Sequence, residues 1–145
     1  MSLAYFDTSV LLAILLEEDR QAEAYEYWKN SFRVSSILLK IETIIGIRRI
    51  YEINKKRLGI GWLNNKTGIL DEFLNEVNFM ILDNTVEREI FLRKDLARCR
   101  SLDAVHIATA LKFKEINGDG EIYFYTYDKT MHSLASHYKF KTNKI

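Results

Sequence analysis

Residues 4–12 read Ala4-Tyr5-Phe6-Asp7-Thr8-Ser9-Val10-Leu11-Leu12. A short apolar run with the look of a buried strand closes on an aspartate, and a helix-like apolar pattern resumes almost at once. A strand that feeds a helix this abruptly is the opening unit of an alternating α/β chain. Further strand-like runs occur at Leu3-Phe6, which overlaps this stretch, and at Phe32-Val34, Phe79-Leu82 and Ile122-Tyr125, with a last one near Phe140-Thr142.

Helical patterns fill the intervals. They run over Val10-Leu16, Arg20-Asn30 and Ile37 to about Asn54, the last capped by Ser35 or Ser36. After a break at Gly59-Ile60-Gly61, Asn64 or Asn65 is expected to cap a helix reaching Val77, and Asp83 or Asn84 one over Thr85-Lys94. Ser101 reads as the N-cap of Leu102-Ile116, ended by the turn Asn117-Gly118-Asp119-Gly120, and a final helix spans Lys129-Tyr138. Strands alternating with helices imply a three-layer α/β/α sandwich around a mainly parallel sheet of four or five strands. Its ligand crevice belongs at the carboxyl edge of the strands. Asp7 directly follows the first strand and Asp128 closely follows the fourth, so both are expected at that edge.

The 145 residues fit one domain, and with 48% hydrophobic and 28% charged residues the chain lies well inside the globular range. The apolar run Val10-Leu16 is far below the ~18 residues of a membrane span. The start lacks the basic residues of a secretory signal, so no membrane association and a cytoplasmic location are expected. One cysteine, Cys99, excludes an internal disulfide, and no CxxC or Cys/His cluster suggests zinc. Net charge is +1, so any polyanion must be drawn by local clusters such as Arg93-Lys94 with Arg98 and Arg100.

Four acids carry the functional reading, and each also has an ordinary one. Asp7 can be a plain N-cap. Glu42 lies in Ile37-Leu38-Leu39-Lys40-Ile41-Glu42-Thr43-Ile44-Ile45-Gly46-Ile47, where apolar residues point nearly all round the helix. Its carboxylate therefore needs a partner or a cation, Arg49 being the ordinary candidate. Asp103, in the first turn of Ser101-Leu102-Asp103-Ala104-Val105-His106-Ile107-Ala108-Thr109-Ala110, can serve the helix dipole alone. Small residues on that helix let it sit close to the sheet and hold Asp103 rigidly. Asp128 in Tyr125-Thr126-Tyr127-Asp128-Lys129 can be another N-cap. His106 shares a face with Asp103 but reads as a hydrogen-bonded packing residue, because hard cations prefer oxygen.

Taken in order along the whole chain, Tyr5-Phe6-Asp7-Thr8-Ser9-Val10-Leu11-Leu12, Ser35-Ser36 with Glu42, Asp103 to Ala110 and Thr126-Tyr127-Asp128-Lys129 resemble the PIN-domain nucleases, and within them the VapC-type toxins of toxin–antitoxin pairs. The resemblance implies a metal-dependent endoribonuclease hydrolysing RNA phosphodiester bonds. It implies catalytic and metal-binding roles for Asp7, Glu42, Asp103 and Asp128, with Mg2+ or Mn2+ as cofactor and Thr126 in support. It further implies a cognate antitoxin as partner and a homodimer. Arg93, Lys94, Arg98 and Arg100 are the expected RNA-binding residues. Phosphodiester hydrolysis needs positive charge against the non-bridging oxygens, which is why carboxylates that can hold a hard cation suit it. No side chain is assigned as a dedicated base.

Rival readings are a PIN-like module that binds RNA or protein without cutting, and a housekeeping RNA-processing nuclease. Asp7-Thr8-Ser9-Val10 faintly resembles the nucleophile motif of haloacid-dehalogenase-like phosphatases, but Ser9 replaces the second aspartate. Neither GxGxxG nor GxxxxGK[ST] occurs.

Overall fold

The structure is a computed structural model and describes residues 1–118 and 120–145; within the expected turn after the long late helix, Asp119 lies outside the described residues. In chain order the elements are β1 (Ser2–Phe6), α1 (Thr8–Leu15), α2 (Gln21–Lys29), β2 (Ser31–Ser36), α3 (Ile37–Ile53), α4 (Lys55–Leu74), β3 (Asn78–Met80), α5 (Asn84–Leu92), a short 3-10 helix (Lys94–Arg98), α6 (Ser101–Ile116), β4 (Ile122–Tyr125), α7 (Lys129–His137) and β5 (Lys141–Thr142).

The strands form one five-stranded sheet in the order β3-β2-β1-β4-β5. Every pairing is parallel. β1 is central because its residues are apolar on both faces, as a doubly covered strand must be. Tyr5 joins Val34 and Phe124 in a core with α5, α6 and α7, which includes Ile107, Ala108 and Leu134. Ala4 and Phe6, pointing the other way, join Val10, Trp28, Leu39 and Leu70 of α1–α4. The period-2 alternation of one strand thus seeds both cores.

β2 and β3 extend the sheet on one side of β1, and β4 and β5 on the other. The strand order reverses between β1 and β4, and at such a switch point the connections diverge and leave a crevice at the carboxyl edge. β3 and β5 at the borders are short, which limits the unpaired edge they offer to other chains. Among the described residues, no helix is long and apolar enough to cross a membrane.

Several boundaries differ from those read in the sequence. α1 begins two residues before Val10, because the Asp7 carboxylate accepts the Ser9 N–H and so starts the helix at Thr8. β3 ends at Met80, leaving Ile81 and Leu82 exposed. Asn64 and Asn65 do not start a helix; they are exposed positions inside α4, whose other face carries Leu70 and Leu74 into the core. Tertiary burial of that face outweighs the local preference of asparagine for caps. Ser101 is the first residue of α6, not its cap; Arg100 takes the cap position and makes no side-chain capping bond.

The break expected at Gly59 is real, but it lies within α4. Gly59 has φ 73° and ψ 165°, a region open essentially to glycine alone. A Gly59→Ala variant is expected to lose about 1–3 kcal/mol of stability. Gly68, in the helical part of α4 with open space around its Cα, supplies the control: Gly68→Ala should gain about 0.5–1 kcal/mol. Urea denaturation of the two variants checks both signs.

Candidate active site at the carboxyl edge

Asp7 follows β1 and extends its ladder, its N–H donating to the Tyr125 carbonyl at 3.2 Å. This fixes the carboxylate beside the end of β4, where it is 1% exposed. Its Oδ1 accepts from the Ser9 N–H at 2.9 Å and the Ser9 hydroxyl at 2.6 Å, and its Oδ2 accepts from the Thr126 hydroxyl at 2.7 Å. A carboxylate has about four lone-pair positions, so these three donors leave Oδ2 with capacity for a further partner. Burial pushes the Asp7 carboxyl above its usual range, opposed by the charge of His106 and the hydrogen bonds from Ser9 and Thr126.

The two hydroxyls do double duty. Ser9 Oγ accepts from the Tyr127 N–H at 2.8 Å, and Thr126 Oγ1 accepts from the Asp128 N–H at 3.0 Å. The β4–α7 loop is thereby fastened to Asp7. Asn143, just past β5, clamps the loop from behind. Its Oδ1 accepts from the Thr126 N–H at 3.0 Å and its Nδ2 donates to the Thr126 carbonyl at 2.9 Å. Asp128 caps α7 through the Met131 N–H at 2.8 Å. The capping readings of Asp7 and Asp128 are therefore correct, and capping leaves each of them facing the crevice edge.

Glu42 enters from α3. Its ordinary candidate partner, Arg49, is not the one it finds; Oε1 accepts from the Thr8 hydroxyl at 2.8 Å and pairs with His106 Nε2 at 2.6 Å. The contact depends on a close approach of α1 and α3. A Cβ on Gly46 would sit 3.2 Å from both methyls of Leu12, so Gly46 brings α3 against α1 one turn beyond the Thr8–Glu42 bond. Burial raises the Glu42 carboxyl, but the hydrogen bond and charge of His106, with the Thr8 hydroxyl, bring it below the usual carboxylate range.

His106 is itself buried, on α6, with Nδ1 2.8 Å from the Tyr5 hydroxyl. Because an ionised carboxylate only accepts, Nε2 must carry a proton, and Tyr5 then faces the other ring nitrogen. Burial holds the Tyr5 phenol well above its ordinary value. Tyr5, His106 and Glu42 form a chain from the floor of the sheet to the crevice.

Asp103, one turn before His106, is half-buried. Burial raises its carboxyl, the neighbouring Asp128 and Glu42 charges raise it further, and His106 and Arg100 oppose them. Asp103, Asp128 and Glu42 therefore share one negative region. Oxygen donors of this kind suit a hard cation. Among the described residues, no three acidic, histidine or cysteine side chains stand together closely enough to hold an ion by themselves. A cation held by this donor set would have to keep part of its own water shell.

Of the basic residues, Lys94, Arg98 and Arg100 are exposed, and Arg100 lies within electrostatic reach of Asp103. Arg93 is occupied: its Nε donates to Glu89 at 2.6 Å and its guanidinium lies 5.1 Å from the Tyr138 ring centre. Sequence reasoning missed Tyr5, Thr8, Ser9 and Asn143. Ser9 and Thr8 had a usable signal, being hydroxyl residues directly after a strand-end acid. Asn143 had none, since its role arises only when β5 lies beside β4.

A comparison with protein-family models gives a match described as PIN domain over residues 4–136, which takes in all four acids. Members of that family are generally nucleases. Neither the curated proteins nor the solved structures compared with the chain gave a match.

The electrostatics make a stability prediction. A carboxyl raised in the folded state keeps its proton to higher pH than in the unfolded chain, so folding stability is lost as pH rises from the ordinary carboxylate range through the raised value. Asp103→Asn removes one such group. Without divalent cations it should melt no lower than wild type at pH 7, and its melting temperature should fall less between pH 4 and pH 7. Thermal melts across that pH range in a chelator-treated buffer test this.

Proposed function

This chain belongs to the PIN domain family, and from that premise we propose that it is a metal-dependent endoribonuclease, the toxin of a toxin–antitoxin pair. The observation that carries the reading is the convergence of acids from four separate stretches of chain on one edge of the sheet. Asp7 and Asp128 share Thr126, and Glu42 and Asp103 share the His106 side of the crevice. A purely structural role does not require this crowding, which adds to burial in raising Asp103 at a cost to folding.

Asp7, Glu42, Asp103 and Asp128 would hold Mg2+ or Mn2+, the class of metal that PIN domains typically use. When bound, the cation would supply positive charge against the non-bridging oxygens of the scissile phosphate and lower the repulsion between acids and RNA. The protein's own contribution is positioning. Ser9 and Thr126 fix the Asp7 carboxylate, and Thr8 and His106 fix that of Glu42, so neither rotates away from the crevice. Arg100, with Lys94 and Arg98, offers exposed cations beside Asp103 that would take neighbouring phosphates and hold the strand in register. Arg93, already paired with Glu89, contributes less to that surface.

The same reading includes protein partners. Ile37, Ile41 and Ile45 lie at i, i+4 and i+8 on α3 and are each exposed. Such a stripe on one helix supports association with a second copy of the chain, and an antitoxin would complete the assembly. The cytoplasm is the compartment this role requires.

Cleavage of a labelled single-stranded RNA, with Mg2+ or Mn2+ and with chelator, tests the proposal. Asp7→Asn and Asp103→Asn should each lose about a hundredfold or more in rate while keeping the wild-type far-UV circular dichroism. His106→Ala should lose roughly ten- to a hundredfold, as expected of a residue that orients a ligand, and retain measurable turnover. Undiminished cleavage by either aspartate variant, or by wild type in chelator, would remove the proposed site. Binding of the same RNA in chelator across a salt series separates holding from cutting: replacing Lys94, Arg98 and Arg100 by Gln should flatten the slope by up to about 2 in log–log units, and Asp103→Asn should not weaken it.

A further inference from the structure

α1 starts at the carboxyl edge with Asp7 as its cap and ends at Leu15. Its last residues meet the start of α2 and the middle of α4, and the three helices line an open groove of about 360 Å³. Ile14, Leu15, Tyr25, Ile69 and Phe73 give it apolar walls. Lys66 lines it too, with Glu17 and Gln21, and among the described residues Lys66 is the one buried lysine.

Lys66 lies between Leu63 and Leu70 on the core-facing stripe of α4, and only 8% of it is exposed. A lysine in that position commonly lays its stem on apolar surface and sends its ammonium to water or to a carboxylate. Here the ammonium makes no hydrogen bond among the described residues. Its nearest carboxylate is Glu17 Oε2 at 3.9 Å, on a side chain that is 70% exposed. An ammonium has three donors and is costly to keep unpartnered beside apolar walls. The Glu17 contact is too long for a hydrogen bond and is weak because one partner stands in solvent.

The groove therefore presents a largely buried lysine whose nearest carboxylate is distant and stands in solvent, beside apolar walls. We propose that it is a binding site for a small apolar carboxylic acid, whose carboxylate bonds to Lys66 and whose hydrocarbon part fills the space between α1, α2 and α4. The charge and shape exclude other classes. A nucleotide or polyphosphate would bring several negative charges to a single lysine beside Glu17, and a neutral hydrocarbon would cover the ammonium without pairing it. The volume lies at the small end of ligand sites, which limits the occupant to a medium-length chain or a single ring system. The site is independent of the nuclease reading, since it shares no residue with the acid cluster.

Octanoate and 1-octanol, equal in chain length and different in charge, are suitable probes, titrated into the full chain by isothermal calorimetry or amide chemical-shift mapping. Octanoate is expected to bind one-to-one, at least tenfold tighter than octanol, and to shift amides of residues 14–25 and 66–73. Lys66→Met keeps the stem and removes the charge. It should weaken octanoate roughly tenfold or more and leave octanol unchanged. Ala22→Phe, at the exposed mouth of the groove, keeps Lys66 and should block both probes. The proposal is overturned if octanoate does not bind, if it binds Lys66→Met as tightly as wild type, or if Ala22→Phe leaves its affinity unchanged. Because every readout is binding, loss of RNA cleavage in any variant has no bearing on the result.

Discussion

A carboxylate buried at the end of the central strand is the constraint around which this protein is arranged. Asp7 is almost wholly removed from water, and an uncompensated charge in that position costs several kcal/mol. The compensation comes from two hydroxyls and one N–H. Each hydroxyl is in turn bound to the backbone of the β4–α7 loop. The positions of that loop, of the cap of α7 and of Asn143 behind it all follow from satisfying one acid.

The second half of the crevice is built on a similar logic with a different donor. Glu42 sits on a helix that is apolar nearly all round, and it is held by Thr8 from α1 and His106 from α6. His106 is braced by Tyr5, whose ring stacks on Phe124 at 5.3 Å. β1 thus contributes to both halves: Tyr5 reaches Glu42 through His106 on one sheet face, and Asp7 ends the strand. One strand of five residues links the two cores and both groups of acids.

The site is left electrostatically unbalanced. Glu42 is compensated by His106, while Asp103 is raised first by burial and then by its acidic neighbours Asp128 and Glu42, so the edge holds acids whose charge is not fully offset by nearby donors. Sites that must act on a ligand commonly retain such a deficit, because full internal compensation would leave nothing for the ligand to satisfy. Lys66 at the other end of α1 has the opposite sign of deficit, on a smaller scale. There the walls are apolar, and the weakly paired group is a single ammonium.

The sequence by itself determined the alternation of strands and helices, the parallel sheet, and the candidacy of Asp7, Glu42, Asp103 and Asp128. These are legible because period-2 and period-3.6 apolar patterns are local, and because an acid directly after a strand or within an apolar helix stands out from its immediate neighbours. The start of α4 at Lys55 was not legible, since burial of a helix face against α1 and α3 overrode the local signals at Asn64 and Asn65. Only the tertiary structure decided that Glu42 pairs with His106 and Thr8 instead of Arg49, and that Asn143 clamps Thr126. It also decided that Lys66 meets Glu17 only at 3.9 Å, beside an apolar groove. Each of these depends on which side chains meet across 17 to 64 residues of chain, and no pattern read along the chain encodes a distance set by the crossing of helices over a sheet.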